Sequence, residues 1–255
     1  MVVQPVLGVL PSRYGSERFP GKPLAPLLGK PMIQWTYERA KQSRTLNRIV
    51  VATDDERIQE AVTRVGGEAL LTSRDCSSGS DRVAETFEKL GAEAAQFQLV
   101  VNVQGDEPCV DPAHIDAIVE AMSEPASSDC VMGTAACCIA SEEEALDRNV
   151  VKVVLDEQGH ALYFSRALIP HSKAGGYDPK TRYLRHIGIY AFRPDFLKQW
   201  PSLPASPLQV AEDLEQLRVL AQGHRIKVVE VHSALPGVDT PQDLKAAEQL
   251  LSCQS

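Results

Sequence analysis

The sequence lacks the features of membrane-spanning, secreted and disulfide-linked proteins. None of its apolar runs approaches the roughly 18 residues of a membrane-spanning helix, and its mean hydropathy is −0.17. The N-terminal residues show neither a basic region nor a cleavage-like site, so we do not expect secretion. The six cysteines show no CxxC spacing, and we therefore expect reduced thiols in a cytoplasmic protein rather than a disulfide or metal framework.

Basic charge is also scarce. The chain of 255 residues has 26 Lys and Arg against 34 Asp and Glu, a formal net charge of −8 at pH 7. Because affinity for nucleic acids depends on clustered Lys and Arg, we do not expect a nucleic acid as the main partner. The motifs GxxxxGK[ST] and GxGxxG do not follow the first predicted strand, and there is no Ser–His–Asp spacing. These absences disfavour kinases, dehydrogenases and serine hydrolases.

The first half of the chain alternates short Val/Ile runs with helical patterns. Continuous rather than alternating apolar runs are typical of strands that are covered on both faces, as in a parallel sheet. The series predicts an α/β fold with a doubly wound, mostly parallel sheet. The predicted strands are 6–10, 48–53 and 99–104, and the predicted helices begin at Pro31 or cover 55–65 and 81–90.

The second half is less regular and predicts a smaller, β-rich insertion in the same fold. Its pattern indicates a hairpin at 149–165, strands at 185–192 and 225–231, a helix at 208–221 and a helix start at Thr240–Pro241. Val210, Leu214, Leu217 and Ala221 would share the buried stripe of helix 208–221. Without a repeat or a low-complexity linker, we predict one domain over residues 1–255.

The segment 11–31 follows the first strand and carries a local charge of +3 within this acidic chain. Ligands of open α/β sheets bind where strands end, and a Gly-punctuated basic loop can surround an anion there. The loop therefore predicts an anion site, and Arg13, Arg18 and Lys22 are among its cations. A solvated loop whose prolines only direct the chain is the alternative.

Two aspartates follow other predicted strands. Asp106 lies in NVQGDEP, where the adjacent glycine permits close backbone approach, and a carboxylate there suits a divalent cation such as Mg²⁺. Asp239 precedes the predicted helix cap Thr240. A ligand role and a capping role are equally open for Asp239, whereas Asp106 is favoured as a ligand by the basic loop at the same sheet edge.

Other polar residues give weaker signals. The string 77–82 precedes a helix and suits either a nucleotide contact or a plain helix cap. Arg166 follows a strand, His186 lies at the start of another, and Glu215 with Gln216 lies off the apolar stripe of helix 208–221. A guanidinium suits a carboxylate or phosphate, but each of these residues taken alone is more often structural.

Ten strings occur in the order found in 3-deoxy-manno-octulosonate cytidylyltransferases, and the chain resembles that family from about residue 6 to residue 250. The strings are PSRYGSERFPGKPL, GKPMI, VATDDERI, SSGSDR, NVQGDEP, NVVKVV, ALYFSR, RHIGIYAF, LEQLR and GVDTPQDL. The resemblance implies a nucleotide-diphospho-sugar transferase-like fold, Mg²⁺ as cofactor, CTP and 3-deoxy-D-manno-octulosonate (Kdo) as substrates, a homodimer, and a place in lipopolysaccharide precursor synthesis. It also implies a nucleotide-binding part at about 1–125 and a sugar-acid and dimerisation part at about 126–235.

The resemblance further implies roles for individual residues. Arg13, Arg18 and Lys22 resemble the triphosphate-binding group, Asp106 and Asp239 the metal-binding aspartates, Ser78, Gly79, Arg82 and Gln104 the nucleotide contacts, and Arg166, His186, Tyr190, Glu215 and Gln216 the sugar-acid side. Three positions depart from the family pattern, since Ser12 replaces Ala, Cys76 replaces His and Ser80 replaces Thr. Any role of that histidine therefore has no support in this chain.

The implied reaction is in-line attack of the anomeric hydroxyl of Kdo on the α-phosphorus of CTP, with pyrophosphate leaving. Positioning and charge neutralisation would dominate such a reaction, and no general base stands out in the sequence. Two alternatives remain. One is a cytidylyltransferase for another acidic 2-keto sugar, such as 8-amino-Kdo or a sialic-acid-like sugar. The other is a non-catalytic sensor of sugars or nucleotides on the same fold.

Overall fold

The computed structural model describes residues 5–15, 19–233 and 237–252. Arg18 lies outside the described residues. The strands are β1 Val6–Ser12, β2 Pro26–Leu27, β3 Lys30–Pro31, β4 Arg48–Thr53, β5 Glu68–Leu71, β6 Leu99–Asn102, β7 Cys130–Cys138, β8 Lys152–Leu155, β9 Ala161–Ser165, β10 Leu184–Phe192 and β11 Arg225–Glu230. The α-helices are α1 Met32–Ala40, α2 Glu56–Thr63, α3 Gly79–Lys89, α4 Pro112–Ser123, α5 Glu142–Leu146, α6 Pro194–Gln199, α7 Pro207–Glu212, α8 Leu217–Ala221 and α9 Pro241–Ser252.

The chain divides into two compact units. Unit 1 contains the described residues up to Asp116 together with Phe192–Pro201 and the described C-terminal residues 237–252, and unit 2 contains Ala117–Ala191 and the described residues from Ser202 to 233. The predicted assignment of nucleotide binding to about 1–125 and of sugar binding and dimerisation to about 126–235 stays a prediction.

Unit 1 is built on parallel strands in the order β6-β1-β4-β5. Every residue of β1 is buried, and Val6, Leu7, Val9 and Leu10 are at most 1% exposed. Burying such a side chain fully contributes about 1.5–3 kcal/mol, which explains why the run carries apolar residues on both faces. In the register, Val9 of β1 lies beside Asn102 of β6, so the loops that follow these two strands leave the sheet at the same edge.

Unit 2 contains the strands in the order β11-β7-β10. β11 runs parallel to β7, whereas β8 pairs antiparallel with both β10 and β9. The pairing of β8 with β9 confirms the predicted hairpin. Together with the parallel strands of unit 1, these elements confirm the α/β class with a mostly parallel sheet and a smaller β-rich part in the second half.

The predicted helix at 208–221 is wrong. Two short helices, α7 and α8, replace it, because Asp213 adopts a left-handed conformation (φ 53°) that ends α7. The predicted stripe is broken accordingly: Leu214 and Leu217 are buried, whereas Val210 is 72% exposed and Ala221 is exposed.

No helix of the described part of the chain combines the length and the apolar character that a membrane span requires.

Candidate active site

The basic loop after β1 is closed by a backbone hydrogen bond between two of its own residues. Gly21 has a left-handed conformation (φ 72°), and its N–H donates to the carbonyl of Tyr14 at 3.0 Å. The positive φ favours glycine here, and a Cβ at Gly21 would also lie only 3.1 Å from the Tyr14 hydroxyl, which would have to shift slightly. This turn delivers Lys22 to the interior, where it is 7% exposed, whereas Arg13 at the end of β1 is exposed.

Lys22, Asp106 and Asp239 meet in what we call the lysine–aspartate cluster. The Lys22 Nζ donates to Asp106 Oδ2 at 2.6 Å and to Asp239 Oδ1 at 3.3 Å. It also donates to the backbone carbonyl of Val238 at 2.7 Å, and the Val238 N–H in turn donates to the carbonyl of Asp106 at 2.9 Å. Three segments that are distant in the sequence are therefore held together at one ammonium group.

The turn that carries Asp106 lies directly against the end of β1. A Cβ at Gly105 would lie 2.6 Å from the carbonyl oxygen of Pro11, a distance that real Cβ atoms do not adopt. The Gly105 N–H donates to that same carbonyl, and its own carbonyl accepts from the Thr36 hydroxyl at 3.1 Å. Glycine does permit a close backbone approach here, and the partner is the neighbouring strand end.

The helix that follows Asp239 is capped by two other residues. Thr240 and Asp243 form a reciprocal cap at the start of α9, in which the Asp243 N–H donates to Thr240 Oγ1 at 3.3 Å and Asp243 Oδ2 accepts from the Thr240 N–H at 2.8 Å. Val238 belongs to a buried apolar cluster with Ala247 and Leu251 of α9, which fixes the backbone next to Asp239. The Asp239 carboxylate contributes its Oδ1 to the lysine–aspartate cluster.

The cluster fits a hard divalent cation. Its side-chain oxygens belong to the carboxylates of Asp106 and Asp239, whose side chains are 38% and 49% exposed. Both carboxylates lie within hydrogen-bonding distance of the Lys22 Nζ. Mg²⁺ takes one or two carboxylates and fills its other positions with water and substrate phosphates. The donor set and its partial exposure match that preference.

The four nucleotide-contact candidates lie around the start of α3. Ser78 is the N-cap, its hydroxyl accepts from the Asp81 N–H at 3.1 Å, and the Asp81 carboxylate accepts from the Ser78 N–H in return. A Cβ at Gly79 would lie 3.2 Å from Gln104 Oε1, so the turn after β6 and the start of α3 are in close contact. The plain capping role therefore accounts for Ser78 in this structure.

Arg82 is 3% exposed and serves the protein interior. Its guanidinium donates to the Thr72 hydroxyl, to the Ser73 carbonyl at 3.2 Å and to Asp54 Oδ2 at 3.3 Å. The other oxygen of Asp54 accepts from the Tyr14 N–H at 3.1 Å, so Arg82 is linked to the basic loop through one carboxylate. Asp54 was not among the residues predicted from the sequence, although its place directly after β4 is the signal that identified the other aspartates.

In unit 2, His186, Tyr190 and Gln216 form what we call the imidazole–amide group. The rings of His186 and Tyr190 lie 5.6 Å apart, and the Tyr190 hydroxyl donates to Gln216 Oε1 at 3.2 Å. Gln216 is 1% exposed, and within the described part of the chain nothing accepts from its Nε2. A buried amide donor without an acceptor costs about 1–3 kcal/mol, which is a reason to expect a ligand atom there.

Burial lowers the pKa of His186 to about 3, so the imidazole is neutral at pH 7. Its Nε2 lies 2.9 Å from the hydroxyl of Thr134, which donates its proton to a backbone carbonyl of Ile187 or Ile189. The hydroxyl oxygen therefore accepts from Nε2–H, and Nδ1 carries the lone pair. His186 can accept a hydrogen bond but carries no positive charge.

The hydrogen bonds of the Arg166 side chain go to backbone carbonyls and not to the imidazole–amide group. Its Nε donates to the Glu212 carbonyl at 2.7 Å, and its terminal nitrogens donate to the carbonyls of Arg148 and Asp213 at 3.3 and 3.2 Å. The guanidinium also lies 3.8 Å from Asp213 Oδ2, and the Arg166 side chain is 35% exposed. Among the described residues, three of its five N–H groups have a hydrogen-bond acceptor and two do not. Glu215 is half-buried in the turn between α7 and α8.

Comparisons with known proteins agree with this architecture. The cytidylyltransferase family model matches residues 7–226. The chain is 46% identical to a 3-deoxy-manno-octulosonate cytidylyltransferase of Protochlamydia amoebophila over 98% of this chain and 95% of that protein, and 47% identical to one of Zea mays over 96% and 80%. A solved CMP:2-keto-3-deoxy-manno-octonic acid synthetase in complex with CTP is 40% identical, with a TM-score of 0.91 over 98% of this chain and 100% of that one. The chain belongs to the 3-deoxy-manno-octulosonate cytidylyltransferase family of nucleotidyltransferases.

Proposed function

We propose that this protein transfers CMP from CTP to the anomeric hydroxyl of Kdo and releases pyrophosphate, and that it does so in lipopolysaccharide precursor synthesis. The observation that carries the proposal is the lysine–aspartate cluster, in which one buried ammonium group gathers two half-exposed carboxylates. A binding protein has no need of paired carboxylates beside a phosphate-binding lysine, whereas phosphoryl chemistry needs both positive charge and metal ligands.

In this proposal Lys22 and Arg13 bind the triphosphate. The net charge of −8 would repel CTP from most of the surface, and these two cations, with Arg18, offset that repulsion locally. As pyrophosphate leaves, negative charge builds on its oxygens, and an ammonium group already fixed by the Val238 carbonyl needs no reorganisation to stabilise it. Ser78, Gly79, Arg82 and Gln104 would bind or position the nucleotide at the start of α3.

Asp106 and Asp239 would hold Mg²⁺. When bound, this ion supplies a Lewis acid that neutralises phosphate oxygens and lowers the pKa of a coordinated hydroxyl. The protein's own contribution is to keep both carboxylates in place, through the backbone link between Val238 and Asp106 and through the reciprocal cap of α9. This proposal assigns no residue as a general base, because none stands out in the sequence.

The sugar acid would be bound by the imidazole–amide group and by Arg166 and Glu215 of unit 2. Gln216 Nε2 offers a buried donor to a hydroxyl or carboxylate oxygen, and the neutral His186 offers an acceptor to a sugar hydroxyl. Arg166 retains two N–H groups for the carboxylate of the sugar acid. Hydrogen-bonding sites of this kind discriminate strongly among polar ligands, because an analogue without the matching group leaves a buried donor unpaired.

Pyrophosphate release measured with CTP and a panel of 2-keto sugar acids tests the proposal. We expect release with Kdo to exceed that with 8-amino-Kdo and with a sialic-acid-like sugar, over a background without sugar. Faster release with one of the other sugars would assign the chain to that substrate. Release with no member of the panel would favour a sensor and overturn the proposal.

We further propose a homodimer in a reducing, cytoplasmic compartment. The described cysteines Cys76, Cys109 and Cys138 are free thiols, as such a compartment requires. Unit 2 exposes Leu162 and Val210 by 60% and 72%, and a second chain that covered these apolar side chains would remove them from water. Light scattering of the purified protein tests the dimer, and a mass of one chain at micromolar concentration would contradict it.

A further inference from the structure

A cluster of three different metal-binding side chains lies in unit 2 and has no part in the proposed reaction. Asp129 and Cys130 are adjacent at the start of β7, and His160 directly precedes β9. One ligand atom of each residue lies within 4.8 Å of the others, and Cys130 Sγ lies 3.8 Å from Asp129 Oδ1. We call these three residues the cysteine–histidine cluster.

We propose that the cysteine–histidine cluster binds a borderline-soft divalent metal ion, with Zn²⁺ as the best match, through Cys130 Sγ, a ring nitrogen of His160 and a carboxylate oxygen of Asp129. Zn²⁺ is bound by thiolate, imidazole and carboxylate at about 2.0–2.3 Å, which places tetrahedral ligand atoms roughly 3.5 Å apart. The distance between Cys130 and Asp129 is already close to that value. The fourth position would hold water.

A second observation supports a metal site rather than a chance assembly. Asp156 Oδ2 lies 3.0 Å from His160 Nδ1, and Asp156 Oδ1 accepts from the backbone N–H groups of Gln158 and His160 at 2.9 and 2.8 Å. The carboxylate thus receives Nδ1–H and leaves the lone pair on Nε2. Metal-binding histidines donate their other ring N–H to a carboxylate in this way, which fixes the tautomer and the ring orientation.

The surroundings of the cluster are suited to a held ion and not to a thiol nucleophile. Cys130 is 1% exposed and His160 is 8% exposed, so an organic substrate cannot reach the sulfur. Asp129 is 53% exposed at its side chain and offers a route for a small ion, while its Oδ2 accepts from Arg225 at 2.6 Å. Arg225 thereby orients the carboxylate so that Oδ1 faces Cys130.

The cluster differs chemically from the lysine–aspartate cluster. The latter offers carboxylate oxygens, which suit Mg²⁺, whereas a thiol and an imidazole suit Zn²⁺ and disfavour Mg²⁺. The ligands also come from separate elements, since the chain passes through α5 and β8 between Cys130 and His160. Sequence spacing alone therefore gives no metal-binding motif, which is why the cysteines predicted no framework.

Zinc binding to the full chain, freed of metal with a chelator and then assayed in excess Mg²⁺, tests the proposal. We expect one tight equivalent of Zn²⁺ by competition with a chromophoric chelator, and a thiolate-to-metal charge-transfer band when Co²⁺ replaces it. Both signals should be lost in Cys130→Ser. They should persist in Cys138→Ser, a matched control because Cys138 is an exposed thiol on the same strand.

Two further variants keep the test decisive if Cys130→Ser does not fold. Asp156→Asn should weaken Zn²⁺ binding by roughly 10–100-fold, because it removes the group that orients His160. Asp106→Asn should bind Zn²⁺ as the unmodified chain does, since it lies in the other cluster. Absence of a tight equivalent in the unmodified chain, or unchanged affinity in either Cys130→Ser or Asp156→Asn, would overturn the proposal.

Discussion

The ammonium group of Lys22 lies 2.6 Å from the carboxylate of Asp106, and the lysine side chain is only 9% exposed. The same nitrogen reaches Asp239 at 3.3 Å. A charge-assisted hydrogen bond in a partly desolvated place is stronger than a surface ion pair, which contributes about 0–1 kcal/mol. Lys22 therefore has two roles in the proposed reaction: it offsets phosphate charge and it keeps two carboxylates close together.

Lys22→Ala should impair the use of CTP much more than the use of Kdo. The substitution removes a phosphate-binding cation and leaves Asp106 and Asp239 without their shared partner, so we expect kcat/KM for CTP to fall roughly 100-fold. Steady-state kinetics with each substrate varied in turn provides the measurement. Lys41→Ala, at an exposed position after α1, serves as the control. A change in the Kdo constant alone would contradict the placement of Lys22.

Asp106→Asn should abolish most activity without unfolding the protein. Asparagine keeps the shape and one oxygen but loses the negative charge that a divalent cation needs, so we expect kcat to fall roughly 100-fold or more at saturating Mg²⁺. The variant should still unfold cooperatively, at a lower temperature than the unmodified chain, because Lys22 keeps only Asp239 as a carboxylate partner. Asp111→Asn is a matched control, because Asp111 lies in the same loop and its side-chain oxygen accepts from the Ala113 N–H, which an amide can also do. Turnover near the unmodified level would exclude Asp106 as a metal ligand.

Arg166→Ala should have the opposite kinetic signature to Lys22→Ala. We expect KM for the sugar acid to rise about tenfold, the equivalent of about 1.4 kcal/mol, with little change for CTP. Arg166→Lys should raise KM for the sugar acid by a similar factor. A lysine cannot donate to the carbonyls of Glu212 and Asp213 and bind a carboxylate at the same time, as the planar guanidinium can. An effect confined to CTP would refute the sugar-side role.

The sequence predicted those parts of the fold that local patterns determine. β4 has the predicted bounds 48–53, because its continuous apolar run is buried in the sheet, and α3 begins at the predicted cap string. β7 was missed, since CVMGTAACC has mostly small side chains and no Val/Ile run, although most of it is buried. The break at Asp213 was missed because a single left-handed residue leaves the helical period of its neighbours intact.

Local sequence patterns predicted the positions of the functional groups only in part. The rule that loops meet at the carboxyl edge of parallel strands anticipated that residues near Lys22 and Asp106 would converge, and they do. The contact between Lys22 and the carbonyl of Val238 spans 216 residues of sequence, and no local pattern encodes it. The burial of polar side chains was not predictable from sequence either, since Arg82 and Gln216 have the polarity of surface residues but are 3% and 1% exposed.

His186 should make the stability of the protein depend on pH in a defined window. Its folded pKa of about 3 lies below the ordinary value of 6.5, so the unfolded chain binds more protons between these values. Stability is therefore complete above pH 6.5 and falls as the pH drops toward 3, and this group alone should cost about 2 kcal/mol between pH 7 and pH 5.

Urea unfolding at pH 7 and pH 5 measures that loss. In His186→Gln, the free energy of unfolding should differ between pH 7 and pH 5 by about 2 kcal/mol less than in the unmodified chain, whatever the absolute stability of the variant. His171→Gln should leave the difference unchanged, because His171 is exposed. An identical pH dependence in His186→Gln and the unmodified chain would show that His186 is not buried in its neutral form.

Gln216→Met should separate binding from stability. Methionine removes the buried Nε2, which has no acceptor among the described residues, but it also removes Oε1, which accepts from the Tyr190 hydroxyl. Because these two effects oppose each other, we expect the free energy of unfolding to stay within about 1 kcal/mol. The same substitution removes a donor for the sugar acid, and KM for the sugar should rise about tenfold. Denaturant unfolding and steady-state kinetics on one preparation give both values. A large loss of stability with unchanged KM would mean that the amide serves the fold, because a donor kept unpaired for a ligand contributes to binding and not to folding.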